Sequence, residues 1–150
     1  MVLGPQAGQE VGGSFELRIV RRKVMATNFS TAQTLMREAE NCLAEAKRYF
    51  AEGDWNFTIR RAQECVELAL KGLLKAGGWE VPKRHDVGAI VAERLQEAGI
   101  VMGTEVAQKI VSASERLAQQ RAPAFYWEIA FTRDDAKLAI EDAEFVLAWA

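Results

Sequence analysis

The sequence predicts an all-α protein, an antiparallel up-and-down bundle of about five amphipathic helices. Three observations carry this. Apolar residues recur at helical spacing in successive segments from residue 28 onward. Each segment opens on a Ser, Thr or Asp, and most close on glycine or proline. The connections are mostly short, which favours antiparallel neighbours. With 150 residues, 49% of them hydrophobic, the chain can bury a core without metal or disulfide staples.

Ser30 followed by Gln33 is a capping-box signature for the first helix, whose stripe is Leu35, Ala39, Cys42, Leu43, Ala46 and Phe50. Gly53 ends it and Asp54 caps the second helix. That helix carries Ile59, Ala62, Val66, Ala69, Leu70, Leu73 and Leu74 on one face and stops at Gly77 and Gly78. Its other face offers the i,i+4 pairs Arg60–Glu64 and Glu67–Lys71. After Pro82, Asp86 caps a third helix with the stripe Val87, Ile90, Val91 and Leu95, ending at Gly99. Thr104 caps the fourth, with Val106, Ile110, Ala113 and Leu117, and Ala122-Pro123 ends it. An aromatic loop follows, with Phe125, Tyr126, Trp127 and Phe131. Thr132, with Asp134 and Asp135 in the first turn, opens the fifth helix.

Residues 1–27 differ from the bundle of 28–150. Gly4, Pro5, Gly8, Gly12 and Gly13 break any period, and Ser14 to Val24 alternates weakly like a lone strand with nothing to pair with. A flexible or loosely packed extension is expected, with Met25 as an alternative start. The basic run Arg18, Arg21, Arg22 and Lys23 reads as solvated.

The net charge of -2 excludes a polyanion-binding module by bulk charge. No apolar run reaches the roughly 20 residues that span a bilayer, and no signal peptide is present, so a cytoplasmic location without membrane contact is expected. Cys42 and Cys65 read as buried thiols. One histidine in the chain argues against zinc. No cofactor is expected: phosphate-binding loop, dinucleotide fingerprint and nucleophile elbow are all missing. Trp55, Trp79 and Trp127 read as packing residues, since no Lys/Arg interleaving marks them as base platforms.

Two features exceed what a core needs. The fifth helix has a main stripe of Ala136, Ala139, Ile140, Ala143, Val146 and Leu147, and nearly opposite it a second of Leu138, Phe145 and Trp149. Either a second copy covers that stripe in a C2 homodimer, or the N-terminal segment or aromatic loop folds over it. The second feature is a basic pole. With strict alternation, the end of the second helix, the start of the third, the end of the fourth and the start of the fifth lie together. They collect Lys75, Lys83, Arg84, His85, Arg121 and Arg133, against Glu52, Asp54, Glu97 and Glu105 at the other pole. A basic pole with helix N-termini suits a phosphate, and Lys83, Arg84, His85, Arg121 and Arg133 are the candidate ligand-binding residues. Arg121 continues the apolar stripe of its helix, so its stem points inward and needs an anionic partner: a ligand, or a carboxylate such as Asp86 or Glu80.

The stretch Arg61-Ala62-Gln63-Glu64-Cys65-Val66-Glu67-Leu68-Ala69-Leu70-Lys71-Gly72-Leu73-Leu74 resembles the second helix of HEPN domains. Pro82-Lys83-Arg84-His85-Asp86-Val87 is similar to the segment that follows it there. Phe131 through Ala136 and Ala143 through Leu147 resemble that family's last helix. The resemblance covers roughly Ser30 to Trp149. It implies an up-and-down bundle, often dimeric and prokaryotic, frequently encoded beside a minimal nucleotidyltransferase. Some members are ribonuclease toxins, and these carry an Arg followed by a His after four to six intervening residues. This sequence departs from that pattern: upstream of His85 the positions hold Gly78, Trp79 and Glu80, and no His follows Arg121. The expected function is therefore a non-catalytic module that pairs with a nucleotidyltransferase, binds a nucleotide, or both. The alternatives are a divergent metal-independent ribonuclease acting on RNA through His85 and Arg121, and a helical scaffold without a ligand.

Overall fold

The computed structural model describes residues 3–150, with side chains from Thr27 onward. Among the described residues it has five helices and no strand: α1 (Leu3–Glu52), α2 (Trp55–Ala76), α3 (Gly88–Glu97), α4 (Thr104–Phe125) and α5 (Arg133–Trp149). The expected division at residue 27 falls almost wholly outside the residues whose side chains are described. The backbone of α1 takes in Ser14–Val24, where the alternation suggests a strand; a helix satisfies its own amides, as an unpaired strand cannot.

Ser30 does not start a helix. It lies inside α1, and Thr34 Oγ1 donates to its carbonyl at 3.2 Å. No glycine or proline stands between Ser14 and Glu52, so nothing stops the helix from running through the capping signature. Local chemistry does set the later starts. Asp54 Oδ1 accepts from the Phe57 amide at 3.1 Å, and Thr132 with Asp135 forms a reciprocal capping box at the head of α5. Thr104 is the first residue of α4, and Gly103 holds the cap position. Pro123 does not end α4 either. The helix continues through it to Phe125, because a proline near the C-terminal end forfeits a single ladder bond.

α2 touches all four other helices. Alanine makes this close approach geometrically feasible: Ala39, Ala46, Ala62, Ala69, Ala113, Ala136 and Ala143 are all fully buried. Ile59, Leu70, Leu74, Ile110, Leu117 and Val146 fill the space between the seams. Tyr49 stacks on Phe57 at 5.0 Å, and Gly72 faces the Ala32 carbonyl and Leu35, so α1 and α2 form an antiparallel hairpin. Asn56 at the start of α2 bonds to Ala124 at the end of α4, and Arg116 of α4 grips Asp142 of α5 at 2.6 Å. α1, α2, α4 and α5 thus build the antiparallel bundle.

α3 departs from strict alternation. Residues 77–87 are long enough to carry the chain back along α2, so that His85 meets Glu67 and Gly88 lies against Ser114. α3 then runs in the direction of α2 and packs antiparallel on α4. The expected basic pole is not assembled as a consequence. The end of α4 and the start of α5 lie at the start of α2, where Asn56 also binds the Ile129 carbonyl and the Phe131 amide, whereas Lys75 sits at the opposite end of α2.

Candidate functional site

The folded-back connection and α4 meet over one line of α2. Gln63, Glu67 and Lys71 follow one another at four-residue steps, which places them on one helix face. Gln63 Nε2 donates to Glu67 Oε2 at 2.8 Å and Lys71 Nζ to Oε1 at 2.7 Å. From the connection, His85 Nδ1 bonds Oε2 at 3.0 Å. From α4, Arg121 Nη1 donates to Gln63 Oε1 at 2.6 Å and stands 3.9 Å from the same Glu67 oxygen. His85 and Arg121 are thereby brought onto a single carboxylate, and both line a cavity of about 310 Å³ with Ala118, Ala122, Phe125 and Tyr126.

Glu67 is 12% exposed. Burial opposes its ionisation, but the hydrogen bonds from Lys71, Gln63 and His85 outweigh that and hold its carboxyl below the usual range. One carboxylate then faces two permanent cations, Lys71 and Arg121, and a histidine. Lys71 and Arg121 together outweigh the one carboxylate, and the half-exposed Arg121 presents the excess positive charge on the cavity side, beside His85. Glu67 occupies Nδ1 of His85, leaving Nε2 as the ring nitrogen available to a ligand.

The other expected binding residues lie elsewhere. Lys83 and Arg84 are exposed on the connection beside His85 and do not line the cavity. Arg133 opens α5 with its guanidinium 5.2 Å over the Phe50 ring, outside this cavity. Asp86 neither pairs with Arg121 nor caps α3 directly. It accepts from Ser114 Oγ at 2.8 Å, and Ser114 Oγ in turn accepts the Gly88 amide at 3.1 Å, so α4 supplies the cap for α3.

The second stripe of α5 is partly absorbed by the chain itself. Phe145 lies under Lys109 of α4 at 4.1 Å, Phe145 and Trp149 are half-buried against the core, and Leu138 remains 42% exposed. The cysteines are both free. Burial and the neighbouring Glu64 carboxylate push the Cys42 thiol up to about 11, and burial pushes Cys65 to about 12.

Sequence reasoning missed Asn56, Arg60 and Glu67 as site residues. Asn56, 2% exposed, accepts from Phe131 and donates to the Ala124 and Ile129 carbonyls, fixing the loop that carries Tyr126. Arg60 does not pair with Glu64, which Arg61 takes at 2.7 Å; its guanidinium lies instead 4.5 Å over the Phe57 ring and 4.4 Å over that of Phe125. The available signal was a polar line at positions 60, 63, 67 and 71 beside the apolar stripe. The aromatic loop stays open: Phe125, Tyr126, Trp127 and Ile129 are exposed, and Trp127 adopts φ 54, in the left-handed region.

The HEPN domain family model matches residues 32–150, which takes in every element of the site. The chain belongs to the HEPN family. Two solved structures share its fold. TT1696 from Thermus thermophilus is 24% identical over 79% of this chain and 94% of its own, with a TM-score of 0.66. ST0689, described as an archaeal HEPN homologue, is 25% identical over 79% of this chain and 93% of its own, with a TM-score of 0.60. No curated protein sequence matches the chain. Tyr126, another wall of the cavity, follows Arg121 after four intervening residues. The histidine of this cavity, His85, arrives from the α2–α3 connection.

Proposed function

We propose that this HEPN chain is a non-catalytic module that binds a nucleotide or other phosphate-bearing ligand in the His85–Arg121 cavity and works beside a minimal nucleotidyltransferase. The observation that carries the reading is the convergence of His85, Arg121 and Lys71 on one carboxylate, which leaves net positive charge beside a cavity walled by Phe125 and Tyr126. A phosphate suits the cations, and exposed rings suit a base. Melting the protein with millimolar adenine and guanine nucleotides tests this. A ligand-dependent rise in melting temperature, lost in Arg121→Ala, is expected. No rise in the wild type with any of them overturns it.

The proposal extends to partners. A homodimer through Leu138, Phe145 and Trp149 would complete the burial of the second α5 stripe, and light scattering that returns a monomer at micromolar concentration refutes it. Co-expression with a nucleotidyltransferase encoded next to it tests that pairing, and separate elution of the two proteins refutes it.

One observation favours a second reading, a metal-independent ribonuclease. Glu67 on Nδ1 orients His85 as a carboxylate orients a catalytic imidazole, leaving Nε2 to act as general acid or base while Arg121 stabilises charge on the phosphorus oxygens. Equal RNA degradation by wild type and His85→Ala rules it out.

A further inference from the structure

Gly53 and Asp54 alone join α1 to α2, and this tight turn faces the loop that leads into α5. Asn56, at the head of α2, ties the two together by accepting from the Phe131 amide and donating to the Ile129 carbonyl. Between turn and loop lies a second cavity of about 340 Å³, which shares no lining residue with the His85–Arg121 cavity. Trp55, Trp127 and Phe131 line it, together with Glu52 and Asp54. Among the described residues no lysine or arginine lines it. The cations of this end are held elsewhere: Arg48 on Glu52 at 3.2 Å, and Arg133 over the Phe50 ring.

The walls are set by their own neighbours. Trp55 is half-buried with Phe50 tilted against it at 5.3 Å, and its Cζ2 would stand 3.9 Å from a Cβ at Gly53. Trp127 does not pack into the core as the sequence suggests: it is 60% exposed, and its backbone is held at φ 54. Strain kept at an exposed ring is a feature of ligand clamps. Asp54 Oδ1 accepts the Phe57 amide, which offsets the positive end of α2, while its Oδ2 has no protein partner among the described residues. The Glu52–Arg48 pair is more than half exposed on both sides, so it is weak and a second cation can compete for Glu52.

Aromatic faces and carboxylates both attract a cation. We infer that this cavity binds a methylated ammonium group, of the kind carried by choline or trimethyllysine. The methyl groups spread the charge over an apolar surface that the rings can cover, whereas a bare ammonium would surrender water that rings do not replace. The site is independent of the anion reading above and has the opposite charge preference.

Titrating isotope-labelled protein with choline, followed through the indole N–H resonances, reads each tryptophan separately. Choline is expected to shift Trp55 and Trp127 saturably and to leave Trp79 and Trp149 in place. It should bind at least about fivefold more tightly than the neutral alcohol in which carbon replaces its nitrogen, since each cation–π contact supplies about two- to fivefold. Acetyl-trimethyllysine amide, run beside choline, tells a free small molecule from a methylated side chain by which binds more tightly. Asp54→Asn keeps the helix cap but removes the charge, and should narrow the preference over the neutral alcohol. Trp127→Gly removes a ring and relieves the left-handed backbone, so it should fold at least as stably as wild type while binding choline about two- to fivefold more weakly. Shifts at neither Trp55 nor Trp127 with either ammonium, equal binding of choline and the neutral alcohol, or full choline affinity in Trp127→Gly overturns the inference.

Discussion

Replacing Glu67 by Gln should weaken the fold and strengthen anion binding together. The carboxylate accepts from Lys71 at 2.7 Å, Gln63 at 2.8 Å and His85 at 3.0 Å. Hydrogen bonds to charged groups contribute about 1.5–3 kcal/mol each at full strength. His85 is 53% exposed and solvent screens its share, while Gln retains one acceptor, so the net loss is about 2 kcal/mol at pH 7. For a domain of this size that lowers the melting temperature by about 6 °C. The effect depends on pH in a fixed direction. The folded carboxyl titrates below its usual 4.5, so its stabilisation is complete above that value and is lost as pH falls through the lower, folded one. Wild type and Glu67→Gln should therefore converge in thermal melts as the pH falls through that lower, folded value. The binding effect has the opposite sign. A phosphate on His85 and Arg121 lies roughly 6 Å from Glu67, and removing that negative charge at an effective dielectric of about 40 is worth about 1.4 kcal/mol, or tenfold in affinity. Urea melts across pH and phosphate titration are the assays. A variant as stable as wild type at pH 7, or one that binds phosphate more weakly, refutes the role given to Glu67.

Three further outcomes follow from the packing. Asn56→Ala strips three hydrogen bonds from a side chain that is 2% exposed, and should cost about 3 kcal/mol in urea denaturation while loosening the loop that carries Tyr126. Gly88→Ala places a Cβ 2.7 Å from Ser114 Cβ and 3.2 Å from the Val111 Cα; it should destabilise by about 2 kcal/mol and raise amide exchange in α3 first. Trp127→Gly relieves a left-handed residue that is 60% exposed and should raise stability by up to about 1 kcal/mol, read as the urea midpoint.

What the sequence revealed was what neighbouring residues decide. The head of α5 was legible because Thr132 and Asp135 cap one another within a single turn. So was the inward stem of Arg121, which follows from helical period alone. The partner of Arg121 was not, because Glu67 and Gln63 lie far off in the chain and Glu67–Lys71 has the look of a surface pair. The pole misled because alternation assumes that each connection merely turns the chain, whereas residues 77–87 reverse it before α3 begins. His85 and Arg121 still came together, through the fold-back rather than through a shared helix end. Asp86 shows the same limit: its cap on α3 passes through Ser114 of α4, which no local window contains.

The amide of Asn56 also sets an order of events. Its partners lie 68 to 75 residues further along the chain. At a synthesis rate of about 5–20 residues per second, Asn56 is made about 3–15 s before the segments that complete its bonds. Through that interval the α1–α2 hairpin can pair, but Ile59 and Leu70 still await the partners that bury them, and Glu67 awaits Arg121. The cavity is among the last features the nascent chain acquires, so conditions that slow docking of the final helices leave a half-made, sticky hairpin before they leave a damaged site.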